Sequence, residues 1–276
     1  MTGAVIEWFV LTALSVGFIG VDIRGTPAHP VLKWSFVILA LFTGPFAAFF
    51  YVLGCREPLR GTHEAYVAVQ WRQALGSTMH CAAGDGIGII AGAVIAAFWH
   101  LPAWVDLLLE YALGFGFGWA IFQALAMRDM AGGSYSRSLR QTFLPEFLSM
   151  NMLMAGMVAT MRLLRPAIDG SGDPATAEFW FVMSMSLLVG FIVAYPINWW
   201  LVSKGLKHGM ITVRPEDSSS ELTADGQNEG SALEPSNARH REHRPGTDVS
   251  RATKVATTLL TLAVLLLTIV LTNHLP

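Results

Sequence analysis

The chain has 276 residues, of which 53% are hydrophobic and 14% charged, and its formal net charge is −2. This composition argues against a soluble globular protein. It also argues against nucleic-acid binding, because the sequence offers no basic surface for a polyanion. We therefore expect the lipid bilayer, and no nucleic acid, as the main partner.

Seven apolar stretches are each long enough to cross a bilayer, which takes about 20 apolar residues in a helix. They cover roughly residues 3–21, 33–53, 75–98, 104–126, 143–164, 178–202 and 254–273. The predicted fold class is therefore all-α, a polytopic transmembrane helical bundle of about seven helices.

The Lys and Arg residues set the expected orientation of this bundle. Of the 18, 14 fall in alternate gaps between the seven stretches. Loops rich in Lys and Arg stay on the cytoplasmic side. We expect a multi-pass protein of the bacterial inner (plasma) membrane, with its N-terminus cytoplasmic and its C-terminus outside.

The pattern also divides the chain into three parts. Residues 1–210 form a predicted six-helix membrane domain. Residues 211–252 are polar, with few aromatic or branched apolar residues, and are typical of a disordered cytoplasmic linker. Residues 253–276 carry the last helix, whose apolar run has no ionisable side chain and which is expected to be a peripheral anchor.

The third helix opens with the segment GSTMHCAAGDGIGIIAG. It brings together His80, Cys81 and Asp85, and polar groups within a membrane are costly enough to suggest function. A satisfied polar cluster between helices is the alternative, and both interpretations stay open. Glycines at positions 84, 88 and 92 have the spacing that lets a neighbouring helix approach closely.

The fifth helix reads LPEFLSMNMLMAGMVATM. Pro145 suits its first turn, and Glu146 begins a helical stripe that continues in thioethers. The members of this stripe after Glu146 are Met150, Met154, Met157 and Met161. Thioethers are soft ligands that select Cu(I), although methionine also fills irregular cores well.

The sixth helix ends in VAYPINWWLVSK, where Pro196 breaks the regular hydrogen-bond pattern and Asn198 follows it. Trp199 and Trp200 mark the membrane interface. In the expected topology the starts of the third and fifth helices and the end of the sixth lie on one side. Their polar residues could then meet at one depth.

The segments HCAAG, LSMNMLMAGM and YPINWW resemble the bacterial membrane family known as domain of unknown function 4396, over roughly residues 70–210. The resemblance implies an acidic residue at Glu146 and methionines at Met157 and Met161. A second thiol in the family pattern is replaced here, since Asp85 follows Gly84. The resemblance implies an architecture and supplies no reaction.

Three functions are compatible with these residues. The first is binding or transport of a soft metal, Cu(I), at a cytoplasm-facing site. Its metal ligands would come from His80, Cys81, Asp85, Glu146 and the methionine stripe, with Asn198 as a further polar candidate. The second is a noncatalytic scaffold or accessory subunit, with a homo-oligomer or another membrane protein as partner. The third is a thiol-dependent membrane enzyme using Cys81, with no catalytic residue assigned.

Overall fold

The computed structural model describes residues 2–128, 132–210, 212 and 249–273. Apart from residues 212 and 249–252, the predicted linker lies outside the described residues. The helices are α1 (Thr2–Asp22), α2 (Pro30–Thr43), α3 (Pro45–Gly54), α4 (His63–Val67), α5 (Gln70–Phe98), α6 (Ala103–Gly116), α7 (Ala124–Ala126), α8 (Tyr135–Leu164), α9 (Ala177–Ser203) and α10 (Arg251–Thr272). A π-helical segment, Phe117–Gln123, joins α6 to α7.

Six of these segments are long and apolar enough to cross a membrane. They are α1, α5, α6 together with the π-helical segment, α8, α9 and α10. The described residues contain no strand. The predicted all-α, multi-span membrane bundle is therefore confirmed.

The second apolar stretch does not form one continuous helix. Helices α2 and α3 turn back on each other at Gly44, whose φ of 52° suits a glycine. A Cβ at Gly44 would lie 2.5 Å from the Thr12 hydroxyl, so the turn abuts the middle of α1. Thr12 precedes Asp22 by about 15 Å along the helix, roughly half a bilayer core.

Both ends of this hairpin lie beside the end of α1. The Tyr51 hydroxyl donates to Asp22 at 2.7 Å, and the Arg56 guanidinium donates to both Asp22 oxygens at 2.9 Å. The chain thus enters and leaves the hairpin at the same end of the bundle. We call this end, where α5 begins and α9 ends, the basic end.

The name reflects the distribution of charge. Arg162 and Arg165 lie at the opposite end, in the last turn of α8 and just after it, whereas Arg56, Arg72 and Lys204 lie at the basic end. The N-terminus is also at the opposite end, since Trp8 packs edge-on against Phe181 near the start of α9, with ring centroids 6.0 Å apart. The N-terminus and the basic loops therefore lie at opposite ends of the bundle, because α2 and α3 form a hairpin. The side of the membrane that the N-terminus faces stays a prediction.

Glycines bring two pairs of helices into backbone contact. A Cβ at Gly88 of α5 would clash with the carbonyl of Leu113 in α6, and one at Gly92 would lie 2.8 Å from the Glu110 Cα. Likewise a Cβ at Gly156 of α8 would lie 2.7 Å from the Cα of Gly190 in α9. The close packing predicted for the glycines of the third helix is therefore seen between α5 and α6.

Helix α8 begins earlier than the sequence suggested. It starts at Tyr135, with the Ser134 hydroxyl accepting from the Arg137 N–H as an N-cap. Pro145 therefore lies inside the helix and not in its first turn. The correction follows because the polar residues 135–142, which look like loop in a hydropathy profile, continue the helix beyond the apolar core.

Helix α10 packs along α8 and leaves most of its own surface exposed. Thr261 is buried against α8, where its hydroxyl accepts from the Asn151 amide at 3.2 Å. Asn151 in turn accepts from the Tyr111 hydroxyl of α6 at 2.7 Å. The last helix is peripheral, as expected, but a polar chain joins it to the body.

Candidate functional site

Glu146 of α8 is fully buried and lies at the centre of a polar cluster. Its Oε2 accepts three hydrogen bonds: from Cys81 Sγ at 3.0 Å, from Gln123 Nε2 at 3.0 Å and from Lys207 Nζ at 3.1 Å. Gln123 also donates to the Cys81 sulfur at 3.0 Å. The donors come from three separate segments of the chain, so tertiary packing alone assembles the site.

Lys207 follows α9, yet its side chain is only 3% exposed. Besides Glu146 it donates to Asn198 Oδ1 at 2.9 Å, and the Asn198 amide donates to the Ser149 hydroxyl at 2.8 Å. Burial alone would lower the pKa of Lys207, but the Glu146 carboxylate outweighs burial and raises that pKa above its ordinary value. Lys207 is therefore the buried counter-ion of Glu146. We call Cys81, Asp85, Gln123, Glu146, Asn198 and Lys207 the central cluster.

Asp85 is the least satisfied member of the central cluster. It is fully buried, and neither carboxyl oxygen has a hydrogen-bond partner among the described residues. It lies beside the Glu146 carboxyl, because both carboxyl groups face Gly118. A buried carboxyl group without a donor is costly, and this sets Asp85 apart from the other members of the cluster.

The π-helical segment makes room for these two carboxyls. Gly118 lies directly against them: a Cβ at this position would clash with Asp85 Oδ1 and lie 2.9 Å from Glu146 Oε1. The same segment ends at Gln123, which points into the cluster. A wider helical turn of this kind is frequent at functional sites.

His80 is beside the central cluster and not within its hydrogen-bond network. Its ring packs edge-on against Phe122 with centroids 5.8 Å apart, and its Nε2 has no hydrogen-bond partner in the described part of the chain. Adjacent residues on a helix point about 100° apart, so His80 and Cys81 face different neighbours.

The methionine stripe lies in the core of the bundle. Met150, Met154 and Met157 are fully buried and Met161 is 7% exposed. The Met150 methyl group lies against Gly114 of α6, and the Met157 side chain against Gly190 of α9. These contacts fit the core-packing alternative; the role of the stripe in metal movement stays a prediction.

The structure thus brings Cys81, Asp85, Glu146 and Asn198 together, as the topology argument anticipated. Two members, Lys207 and Gln123, are not among the residues that the sequence predicts for the site. A lysine that follows a transmembrane helix ordinarily marks the basic flank of the membrane interface, and Lys207 belongs to no periodic pattern. The position of Gln123 inside an apolar helix was a usable signal, since uncharged polar side chains there seek partners.

Within residues 2–128, 132–210, 212 and 249–273, no group of three or more His, Cys, Asp or Glu side chains is arranged to hold a metal ion. At Glu146 the Lys207 ammonium provides the positive charge that a cation would otherwise supply.

The fold and the central cluster define a polytopic α-helical membrane protein with a charged site enclosed in its bundle. Residues 70–207, half of the chain, match the family described as "Domain of unknown function (DUF4396)". The chain belongs to this family, and the matched segment contains every member of the central cluster. No curated protein and no solved structure matches the chain.

Proposed function

We propose that this protein is a membrane transport protein whose central cluster binds a soft monovalent cation, Cu(I), as its cargo. The observation that carries the proposal is the Cys81 thiol, buried in the bundle and donating to Glu146 Oε2 at 3.0 Å. A thiolate is the form of cysteine that binds metal. A carboxylate already holding the thiol hydrogen is well placed to receive that proton.

The exchange that we propose balances in charge and atoms. Cu(I) forms a bond to the Cys81 sulfur, the S–H bond breaks, and its proton passes to Glu146. No electron is transferred. Protonated Glu146 no longer attracts Lys207 as a carboxylate does, so the ammonium is released from the pair. Metal binding and proton release are linked in this way at any site with a protonated thiol.

Charge also favours a monovalent cargo. When a monovalent cation binds the Cys81 thiolate and the thiol proton leaves the site, the total charge of the site stays unchanged. A divalent ion would add one uncompensated charge in a medium where such a charge is expensive. Softness then selects Cu(I) among monovalent ions, because sulfur ligands discriminate against hard cations.

The same proposal includes orientation in the bacterial inner membrane. By the positive-inside rule the basic end is cytoplasmic, so the central cluster lies nearer the cytoplasm. Both termini are then outside, which differs from the expectation for the N-terminus.

A thiol enzyme is a weaker alternative. Cys81 has a neighbouring base in Glu146, but it is only 1% exposed, and a substrate would have to reach it through the bundle. A scaffold role has no specific observation in its favour and becomes an outcome of the test below.

The test is Cu(I) titration of the detergent-purified protein under reducing conditions, with the bound metal counted directly. We expect one Cu(I) per chain in the wild type and a loss of this binding in Cys81→Ser. Cys55→Ser is the matched control, because Cys55 is also a buried free cysteine but lies outside the central cluster. Equal binding by wild type and Cys81→Ser, or no binding by the folded wild type, would refute the proposal and favour a scaffold.

A further inference from the structure

The chain that follows α9 folds back across the basic end of the bundle. Helix α9 ends at Ser203, and Gly205 then takes a φ of 66°. The Leu206 N–H donates to the Leu201 carbonyl at 2.9 Å, which makes the helix end a Schellman motif and turns the chain back. We call residues 204–210 the strap.

Lys207, in the middle of the strap, joins it to the central cluster. The Lys207 side chain donates to Glu146 and to Asn198 and is almost completely buried. Glu146 in turn accepts from the Cys81 thiol. The strap therefore supplies a buried part of the central cluster itself.

Met210 fastens the last residue of the strap to α5. Its side chain fills the space left by Gly76, where a Cβ would clash with Met210 Cγ, and its methyl group lies near Gly54 of α3. The Gln73 amide donates to the Met210 carbonyl at 3.2 Å. Gly76 is five residues before Cys81, or about 8 Å along the helix. The strap thus crosses α5 between the start of this helix and Cys81.

The chain just beyond the strap is also held at the basic end. Thr212 forms an isolated antiparallel bridge with Ala28, which precedes α2. The Thr212 hydroxyl lies 2.7 Å from Nδ1 of His63, the first residue of the short helix α4. The strap is therefore attached on both sides of Lys207.

The strap is better able to move than the helices around it. Residues 204–210 form neither helix nor strand, so no repeating series of backbone hydrogen bonds holds them. Such a segment opens locally at a lower cost in free energy than a packed helix does. Cys81 is only 1% exposed, so a cargo reaches it only after some part of the protein has moved.

We propose that the strap is a gate, and that its displacement from α5 opens the central cluster to a cation arriving from the basic end. Lys207 leaves with the strap, so opening also removes the ammonium that would repel the cation and that occupies Glu146. The inference rests on the proposed function for the identity of the cargo, Cu(I). The movement of the strap does not depend on copper.

The first experiment measures access to Cys81 with no metal present. Cys55→Ser leaves Cys81 as the only thiol of the chain, and in this background its alkylation by N-ethylmaleimide is followed by mass spectrometry of the detergent-purified protein. Met210→Ala should increase the alkylation rate about tenfold or more, because truncating a buried methionine weakens the packing that holds the strap.

Met183→Ala is the matched control for this experiment. Met183 is also a buried methionine, but it lies near the start of α9, at the far end of that helix from the strap. Met183→Ala should leave the alkylation rate of Cys81 at that of the background protein. Equal rates in Met210→Ala and Met183→Ala would overturn the gate.

A locked strap provides a second measurement, which stands even if Met210→Ala folds poorly. Gly76→Cys combined with Met210→Cys places two thiols within disulfide distance, since a Cβ at Gly76 would meet Met210 Cγ. The oxidised protein should alkylate Cys81 more slowly than the reduced protein, with the peptide that carries Cys81 quantified separately. The same rate in both forms would contradict the gate.

The rate of Cu(I) binding then separates the gate from the proposed function. Met210→Ala should bind Cu(I) faster than the background protein and with the same stoichiometry; faster alkylation with an unchanged copper rate would refute the gate for this cargo. If the alkylation rate responds to the strap but the wild type binds no Cu(I), the proposed function falls and the movement of the strap stands. If Cu(I) binds and the strap variants do not change the alkylation rate, the gate falls and the proposed function stands.

Discussion

Replacing Lys207 with methionine tests whether the ion pair with Glu146 holds the central cluster together. Methionine keeps an apolar stem of similar length and removes the ammonium. Glu146 Oε2 then keeps Cys81 and Gln123 as donors and loses its only charged partner among the described residues, while Asn198 Oδ1 loses a donor. The pair is almost completely enclosed, with side-chain exposures of 3% and 0%.

The expected cost is large because one charge is left behind in the bundle. Removing one partner of a buried ion pair destabilises a protein by about 3–5 kcal/mol. For a chain of this size that corresponds to a fall in the unfolding midpoint on the order of 10 °C. Lower pH should recover part of the loss in Lys207→Met, since protonation removes the stranded charge of Glu146.

The assay is thermal unfolding in detergent, monitored by the fraction of protein that stays monodisperse. Lys204→Met is the matched control: Lys204 is three residues away and exposed, so its loss should change stability by no more than about 0.5 kcal/mol. Glu146→Gln combined with Lys207→Met should be more stable than Lys207→Met alone, because both charges are then absent. Equal midpoints for Lys207→Met and Lys204→Met would refute the reasoning.

Three further outcomes are expected. Gly118→Ala should destabilise the protein by about 1–3 kcal/mol in the same unfolding assay, because the added methyl group collides with the carboxyls of the central cluster. Gly116→Ala is the control and should not destabilise the protein, because nothing lies within 4 Å of a Cβ at this position. Equal effects of the two substitutions would contradict the packing described. A cysteine at Gly3 should react with a membrane-impermeant maleimide from the same side as a cysteine at Gly172, and labelling from opposite sides would disprove the hairpin topology. Because the pKa of Lys207 is raised in the folded protein, its stabilising contribution should be complete below the ordinary lysine pKa of about 10.4 and be lost only as pH rises through the higher folded pKa. The stability of the wild type should therefore fall more steeply at alkaline pH than that of Lys207→Met. Identical pH profiles for the two proteins would contradict the raised pKa.

Hydropathy predicted most of the fold because the bilayer requires long apolar helices. It failed at residues 33–53, since 21 apolar residues satisfy the length requirement whether the chain crosses or turns back. The local signal was Gly44 followed by Pro45, where a positive φ and a missing N–H together interrupt a helix. The orientation of the N-terminus depended on that segment.

The site could be predicted in part. Asp85 and Glu146 stood out because a carboxyl inside an apolar helix is rare. Lys207 did not, because a lysine after a transmembrane helix ordinarily points to the interface, and only the return of residues 204–210 over the bundle buries it. The pairing of Cys81 with Glu146 likewise depends on how α5 and α8 pack, which no pattern within either helix encodes.

The glycine contacts imply how this bundle could change shape. Helices α5 and α6 touch backbone to backbone, and so do α8 and α9, so each pair is expected to behave as a rigid unit. Cys81 belongs to the first unit, while Glu146, Asn198 and the trailing Lys207 belong to the second. Rocking one unit against the other would break the hydrogen bond from Cys81 to Glu146 and leave Glu146 paired with Lys207.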